Sequence, residues 1–290
     1  MVKKYSELYL DARKALLPTE GEQASLLARN LVCHASGKTP EEFIAHREKY
    51  ASDAIGNAVE EGVARLLEGE PLAYVLESWE FYGMELYINR SVLIPRDDTC
   101  AVAGLAMKKA LFLDQDPRIL DLCTGSGCIG LAVANRVKDA RVTLADVSRE
   151  ALAVARKNVT KQKLGSRVSC VQVDALQPAP GFLGEFDMII SNPPYITTQE
   201  MEQLPGSVRD YEPHLALHGG ADGLDFYRAI VRNFTPALKP GGYLCFEFGM
   251  GQGDSVCAIL EHAGYEICDR VQDFNERERA VLARKSREDS

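Results

Sequence analysis

Residues 186 to 196 read FDMIISNPPYI, an apolar run that ends in Asn192-Pro193-Pro194-Tyr195. Two consecutive prolines fix φ and withdraw two amide donors, so this turn offers carbonyl oxygens with no neighbouring N–H to compete for them. The Asn192 side-chain oxygen and the Pro193 carbonyl can then both accept from one planar NH2 group. The Tyr195 ring adds an apolar face on which that group can stack. Such a turn suits work on an amide or amino nitrogen in a flat conjugated group. A polar-Pro-Pro-aromatic turn can also do no more than end a strand.

A second set of residues lies upstream in RILDLCTGSGCIGLAVA, residues 118 to 134. Gly125, Gly127 and Gly130 have the GxGxxG spacing, which permits a tight turn and lets a ligand approach the backbone at a helix N-terminus. Taken alone, this pattern also fits a plain strand-to-helix turn. Asp146 follows Gly125 by 21 residues at the end of the next apolar run. An acid placed there can accept from both hydroxyls of an adenosine ribose. NAD and S-adenosylmethionine both carry that ribose, so the two motifs define a class without choosing its member. Charge leans toward the methyl donor, because Asp121 beside the turn disfavours an anionic pyrophosphate and suits a sulfonium.

Other reactive side chains fit structural roles better. His214 and His218 fall near the Asn192 turn, but an amide nitrogen can lose its proton to water after methylation, so loop capping or packing suits them. Cys123 as a nucleophile would require a covalent intermediate that direct in-line transfer does not need. The eight cysteines contain no CxxC pair, Cys123 and Cys128 are five apart, and the five histidines lack ligand spacing, so no metal site is expected. Trp79 and the aromatics of 81 to 87 read as hinge packing rather than a base-stacking platform.

These residues need elements to hold them. Apolar runs at Arg118 to Cys123, Arg141 to Val147, Arg167 to Asp174, Phe186 to Asn192, Gly242 to Phe248, Tyr265 to Asp273 and Arg279 to Arg284 alternate with helical patterns. That alternation predicts a parallel α/β sheet covered on both faces. The first 78 residues read as helices only: 4 to 17, about 20 to 35, a short helix opened by Thr39-Pro40-Glu41-Glu42, and one from Ser52 that ends at Gly69 and Pro71. Residues 79 to 95 alternate aromatic and β-branched with polar residues around Gly83, as in a hairpin. The expected organisation is a helical substrate-recognition domain over 1 to 78, a β-hairpin linker over 79 to 95 and a catalytic domain over 96 to 290.

Composition narrows the function classes. The 290 residues carry 33 Lys+Arg against 42 Asp+Glu, a formal net charge of −9. Residues 1 to 90 hold 10 basic and 15 acidic side chains, net −5, which argues against a basic nucleic-acid clamp. The 46% apolar content fits an ordinary globular core, and no run approaches the ~20 apolar residues that span a bilayer. Glu7 and Asp11 fall where a secretory signal needs an unbroken apolar stretch, so a cytoplasmic protein with reduced thiols is expected.

Asn-Pro-Pro-Tyr after a fourth strand resembles the signature of class I amino-methyltransferases. The flanking text narrows the resemblance: Glu70-Pro71-Leu72-Ala73-Tyr74, Glu80-Phe81-Tyr82-Gly83, Leu93-Ile94-Pro95-Arg96-Asp97-Asp98-Thr99, Tyr211-Glu212-Pro213 and Gly219-Gly220-Ala221-Asp222-Gly223-Leu224. Together these resemble the HemK/PrmC family, the N(5)-glutamine methyltransferases of the GGQ motif of peptide chain release factors. The resemblance implies a Rossmann-like, mainly parallel seven-stranded sheet after a small helical bundle. It implies S-adenosylmethionine along Cys123, Thr124, Gly125, Ser126 and Gly127, its ribose on Asp146, its adenine by Asp174 and Ala175, and its methyl group facing Asn192. Asn192 and Pro193 would be the catalytic acceptors, Asn192 to Tyr195 would hold the substrate glutamine, and Phe81 and Arg96 would lie near the cofactor. Release factors would be the partners; no direct nucleic-acid or membrane binding is expected, and the sequence leaves the oligomeric state open, with a monomer favoured. Two residues depart from the pattern: Cys123 stands where many members have glycine, and Cys100 where an acid is common. Three rival readings are a nucleic-acid amino-methyltransferase acting on adenine or guanine, a non-catalytic S-adenosylmethionine-binding translation partner, and an NAD oxidoreductase.

Overall fold

The computed structural model describes residues 2–286. The chain divides between Ser78 and Trp79 into two compact units. In the first, four helices follow the expected order: α1 (Tyr5–Glu20), α2 (Ala24–Ser36), α3 (Pro40–His46) and α4 (Asp53–Leu67), with a single turn α5 (Leu72–Val75) after them. Each boundary has a local cause. Thr39 and Glu42 form the reciprocal capping box, Glu42 N donating to Thr39 Oγ1 at 3.2 Å and Thr39 N to Glu42 Oε2 at 3.0 Å. Gly37 ends α2 in the left-handed region at φ 63°, its N–H returning to the Cys33 and His34 carbonyls. Leu8, Leu16, Ala28, Leu31, Val59 and Val63 form the core, with Leu16 fully buried. Burying each large side chain is worth about 1.5 to 3 kcal/mol, which a four-helix unit needs to hold its amphipathic faces together.

The second unit opens with a hairpin, β1 (Ser78–Phe81) and β2 (Met84–Tyr87). Tyr82 and Gly83 turn it with φ of 52° and 70°, the paired positive values that match strand twist in a two-residue loop. Beyond α6 (Cys100–Ala110) lie β3 (Arg118–Leu122), α7 (Cys128–Arg136), β4 (Arg141–Asp146), α8 (Arg149–Lys161), β5 (Val168–Gln172) and β6 (Phe186–Ser191). Two short helices follow, α9 (Thr198–Met201) and α10 (Gly206–Arg209), and then α11 (Asp225–Phe234), β7 (Leu238–Glu247), α12 (Gly253–His262), β8 (Tyr265–Gln272) and β9 (Glu278–Lys285).

β3 to β9 form one sheet in the order β5-β4-β3-β6-β7-β9-β8. Ile119, Leu120, Leu122, Met188, Ile189 and Ile190 are all fully buried, as strands covered on both faces require. The sheet is mainly parallel and seven-stranded, as the resemblance implies, and the one departure is β9, which runs antiparallel to both β7 and β8. The cause is the connection, since only a few residues join β8 to β9 and a parallel pair needs a long crossover. The strand order reverses between β3 and β6, where ligands of open α/β sheets bind. Leu122 pairs with Ser191 and, on its other side, with Ala145. The segments after β3, β4 and β6 therefore leave the sheet side by side at its carboxyl edge.

The hairpin is fastened to this edge. Asn158 of α8, fully buried, accepts from Tyr87 N at 2.6 Å and donates through Nδ2 to the carbonyls of Tyr87 and Ser126 at 3.0 and 2.9 Å. One side chain thus ties the hairpin strand to the Gly-rich turn. Trp79 donates from Nε1 to the Pro95 carbonyl at 3.0 Å.

Candidate active site

The Gly-rich turn is held from beneath by Asp121. Its Oδ2 accepts from Thr124 Oγ1 at 2.6 Å and from Gly130 N at 2.9 Å, with no accessible surface. Burial pushes this carboxyl up to about 7 against the pull of those two donors. Gly130 has to be glycine because a Cβ would sit 2.3 Å from Leu144 and 2.9 Å from Asp121 Oδ2. Gly127 starts α7 at φ 84°. Cys123 adopts φ 60° without being glycine, and burial raises its thiol pKa, so it is a poor source of thiolate.

Asp146 closes the other side of the turn. Its Oδ2 accepts from Gly125 N and its Oδ1 from Ser148 N, both at 2.9 Å. Two backbone donors fix the carboxylate plane and leave a lone pair on each oxygen for a ligand. Asp174 is held by one backbone donor, Leu176 N to its Oδ1 at 2.9 Å.

A cleft of about 230 Å³ lies over this edge. Of the residues singled out in the sequence, Cys123, Thr124, Gly125, Ser126, Asp146, Asp174, Ala175, Asn192 and Pro194 line it. Gly127, Pro193 and Tyr195 do not. Gly127 is spent on the helix start, with Leu144 and Leu131 close behind it. Pro193 is buried in the turn, and the Tyr195 ring packs against the large core, within 3.0 Å of where a Gly249 Cβ would stand. Phe81 and Arg96 also lie off the wall: Phe81 is buried against Tyr82, and Arg96 is paired with Glu212. His214 and His218 are engaged with the Arg209 carbonyl at 2.8 Å and the Thr198 hydroxyl at 2.9 Å, and neither faces the cleft.

The remaining wall had no chemical signal of its own. Part of it comes from Ser91, Val92, Leu93 and Pro95, part from Pro213, Leu215 and Ala216, and part from Phe226 of α11. Glu212, whose side chain is 1% exposed, joins the first two pieces by accepting from Ile94 N at 3.3 Å and from Arg96 Nη2. The Leu93-Ile94-Pro95-Arg96 and Tyr211-Glu212-Pro213 strings were visible as text; their meeting across 116 residues was not.

The helical unit matches the PrmC N-terminal domain over residues 7–76, and residues 104–205 match the methyltransferase small domain. Over 224 residues the chain is 41% identical to the release factor glutamine methyltransferase of Geobacter sulfurreducens, covering 77% of this chain and 76% of that protein. The chain belongs to the release factor glutamine methyltransferase family. The relative from Bradyrhizobium diazoefficiens is 37% identical over 273 residues, 91% of this chain and 89% of its own length. The catalytic domain of hMettl16, solved in complex with MAT2A 3'UTR hairpin 6, shares the fold, with a TM-score of 0.57 at 15% identity over 89% of this chain and 93% of that one.

As a methyltransferase of this family the protein uses S-adenosylmethionine as methyl donor. The cleft fits it. Its lining holds two carboxylates, Asp146 and Asp174, and neither lysine nor arginine, which suits a cationic sulfonium and opposes a pyrophosphate. Gly125, at φ 53°, has no atom within 4 Å of a Cβ position, so its open side can take a ligand against the backbone. Asp121 plays a different part from the one its sequence position suggests. It is sealed beneath the turn, spent on Thr124 and Gly130 and off the cleft wall, so it shapes the loop, and the charge preference comes from Asp146 and Asp174 instead.

Proposed function

We propose that the protein methylates the side-chain amide of the glutamine in the GGQ motif of peptide chain release factors, in the cytoplasm. The observation that carries this reading is that the Asn192-Pro193-Pro194 turn sets Asn192 and Pro194 on the wall of an acidic, adenosine-sized cleft in a member of this family. When bound, S-adenosylmethionine supplies a methyl carbon on a positively charged sulfur. Cys123, Thr124, Gly125 and Ser126 cradle it, Asp146 takes the ribose hydroxyls, and Asp174 and Ala175 flank the adenine.

The target nitrogen is a weak nucleophile because its lone pair is delocalised into the amide. Catalysis then rests on positioning the NH2 and on acceptors that favour positive charge developing there. Asn192 Oδ1 and the Pro193 carbonyl serve as those acceptors. Pro194 contributes apolar wall, and Tyr195 braces the turn from the core side, its carbonyl accepting from Gln252 Nε2 at 3.0 Å.

Labelled S-adenosylmethionine incubated with the protein and a release factor tests this directly. Mass spectrometry should find one added methyl on the GGQ glutamine, and replacing that glutamine by glutamate should abolish transfer. Label on adenine or guanine, with the release factor unmodified, would overturn the substrate.

Two further expectations belong to this reading. Asp146→Ala should weaken S-adenosylmethionine binding by about 2 to 3 kcal/mol, the scale of hydrogen bonds to a charged group. Titration calorimetry giving an unchanged affinity would show that the ribose sits elsewhere. The helical unit serves recognition of the protein substrate, since one glutamine pocket offers far less contact than a stable protein complex needs. A chain beginning at Trp79 should bind S-adenosylmethionine normally yet methylate intact release factor poorly; full activity of that shortened chain would rule the role out.

A further inference from the structure

Behind the Asn192 turn lies a carboxyl to which the reading above gives no task. Glu247 closes β7, and the register that pairs Phe246 with Ser191 brings it beside Asn192 at the carboxyl edge of the sheet. It is 1% exposed, and its Oε2 is buried with no hydrogen-bond partner among the described residues. Burial pushes its pKa up to about 8, while the Thr99 hydroxyl, the Arg279 guanidinium and the Asn192 amide pull it down and Asp98 adds to the rise. Tyr195, Tyr227, Cys100 and Cys128 are the other titratable groups facing it. A carboxyl so placed costs stability that an apolar side chain of the same size would not.

The orientation of Asn192 gives it a use. An asparagine amide has opposite hydrogen-bond character at its two ends, and only Oδ1 can accept from a substrate NH2. Turned by half a rotation, it would aim donors at donors. In the structure Nδ2 points inward to Thr99 Oγ1, but at 3.4 Å and toward a hydroxyl able to donate or accept, which specifies the orientation weakly. A carboxyl oxygen placed beside Nδ2, where the β6–β7 register puts Glu247, would specify it, because a carboxyl oxygen accepts from Nδ2 and cannot pair with Oδ1 when ionised. Oε2 is free to carry a proton, so the other oxygen stays an acceptor whether the group is ionised or neutral.

We propose that Glu247 is a positioning residue for methyl transfer, accepting from Asn192 Nδ2 and the Thr99 hydroxyl and so turning Asn192 Oδ1 toward the target amide. This rests on the reading of the Asn192 turn as the amide site and adds the group that aims it. Glu247→Gln keeps the shape but presents an amide that can face either way, so the aim is lost.

The variant should keep or raise the melting temperature and bind S-adenosylmethionine within about twofold of wild type. Its kcat on release factor should fall about 10- to 100-fold, the scale of a misplaced positioning group, with a smaller change in KM. Combined with Asn192→Ala it should cost nothing beyond Asn192→Ala alone, because Glu247 acts only through that side chain. Wild-type turnover in Glu247→Gln, or losses that add in the double variant, would overturn the proposal. A readout independent of substrate is hydrogen exchange of the Asn192 side-chain NH2 in the unaltered protein, followed by NMR. Exchange much slower than in a free asparagine supports the buried acceptor, and exchange at the free rate refutes it. Inactivity of the wild type on release factor would instead count against the substrate reading, leaving the exchange result to judge Glu247.

Discussion

Asn192→Ala should lower turnover on release factor by about 10²- to 10³-fold, the usual cost of about 2.7 to 4 kcal/mol for one transition-state acceptor. The substitution removes the side-chain amide acceptor of the turn while Pro193 and Pro194 continue to shape it. Asn192 is only partly buried, at the end of a strand whose preceding residue is anchored by Ser191 Oγ donating to the Leu122 carbonyl at 2.6 Å. The fold and cofactor affinity should therefore survive. The loss should fall chiefly on kcat, with a smaller rise in KM because the same oxygen orients the bound amide. Steady-state kinetics with a purified release factor would measure both. An effect below tenfold would mean that Asn192 is not the acceptor.

Arg96→Met should destabilise the second unit by about 3 kcal/mol or more, because it leaves the buried Glu212 carboxylate without its charge partner. The value sits toward the low end for buried pairs, since the Arg96 side chain is 39% exposed and water screens part of the attraction. Urea titration should show the lower midpoint. The same variant should bind S-adenosylmethionine more weakly, because Glu212 joins the two wall segments that flank the cleft near Pro95 and Pro213. Arg96→Lys should recover part of both losses, keeping the charge without the forked geometry. A stability and an affinity equal to wild type would mean that the pair carries no load. The resemblance had set Arg96 beside the cofactor; the structure makes its influence indirect, through Glu212.

Much of this protein is legible in local pattern. A strand of five or six apolar residues, a turn rich in glycine and a following helix declare themselves within 20 residues, because backbone propensity and period are local properties. The capping box at Thr39 and Glu42, the strand at Arg118 and the acid at the end of β4 are all of this kind. So is the Asn192 turn, whose chemistry follows from what proline withdraws from the backbone. Family-specific strings carried the rest of the functional reading as far as the substrate class.

Three things depended on elements far apart in the chain, and no window of sequence contains them. Antiparallel β9 is one, decided by a short connection whose strands look like any others in the sheet. The true source of the cleft's charge is another: Asp121 and Asp146 both stand at the carboxyl ends of neighbouring strands, yet Asp121, one residue before the last of β3, is sealed beneath the turn, while Asp146, the last residue of β4, lines the cleft. The last is the set of supports behind the site, Asn158 on the Gly-rich turn, Glu212 on Arg96 and Glu247 beside Asn192, separated from their partners by 32, 116 and 55 residues. Polar side chains such as these read as ordinary surface residues in the sequence. Only the packed sheet removes them from water, and a buried polar group must then find a partner wherever the fold has brought one.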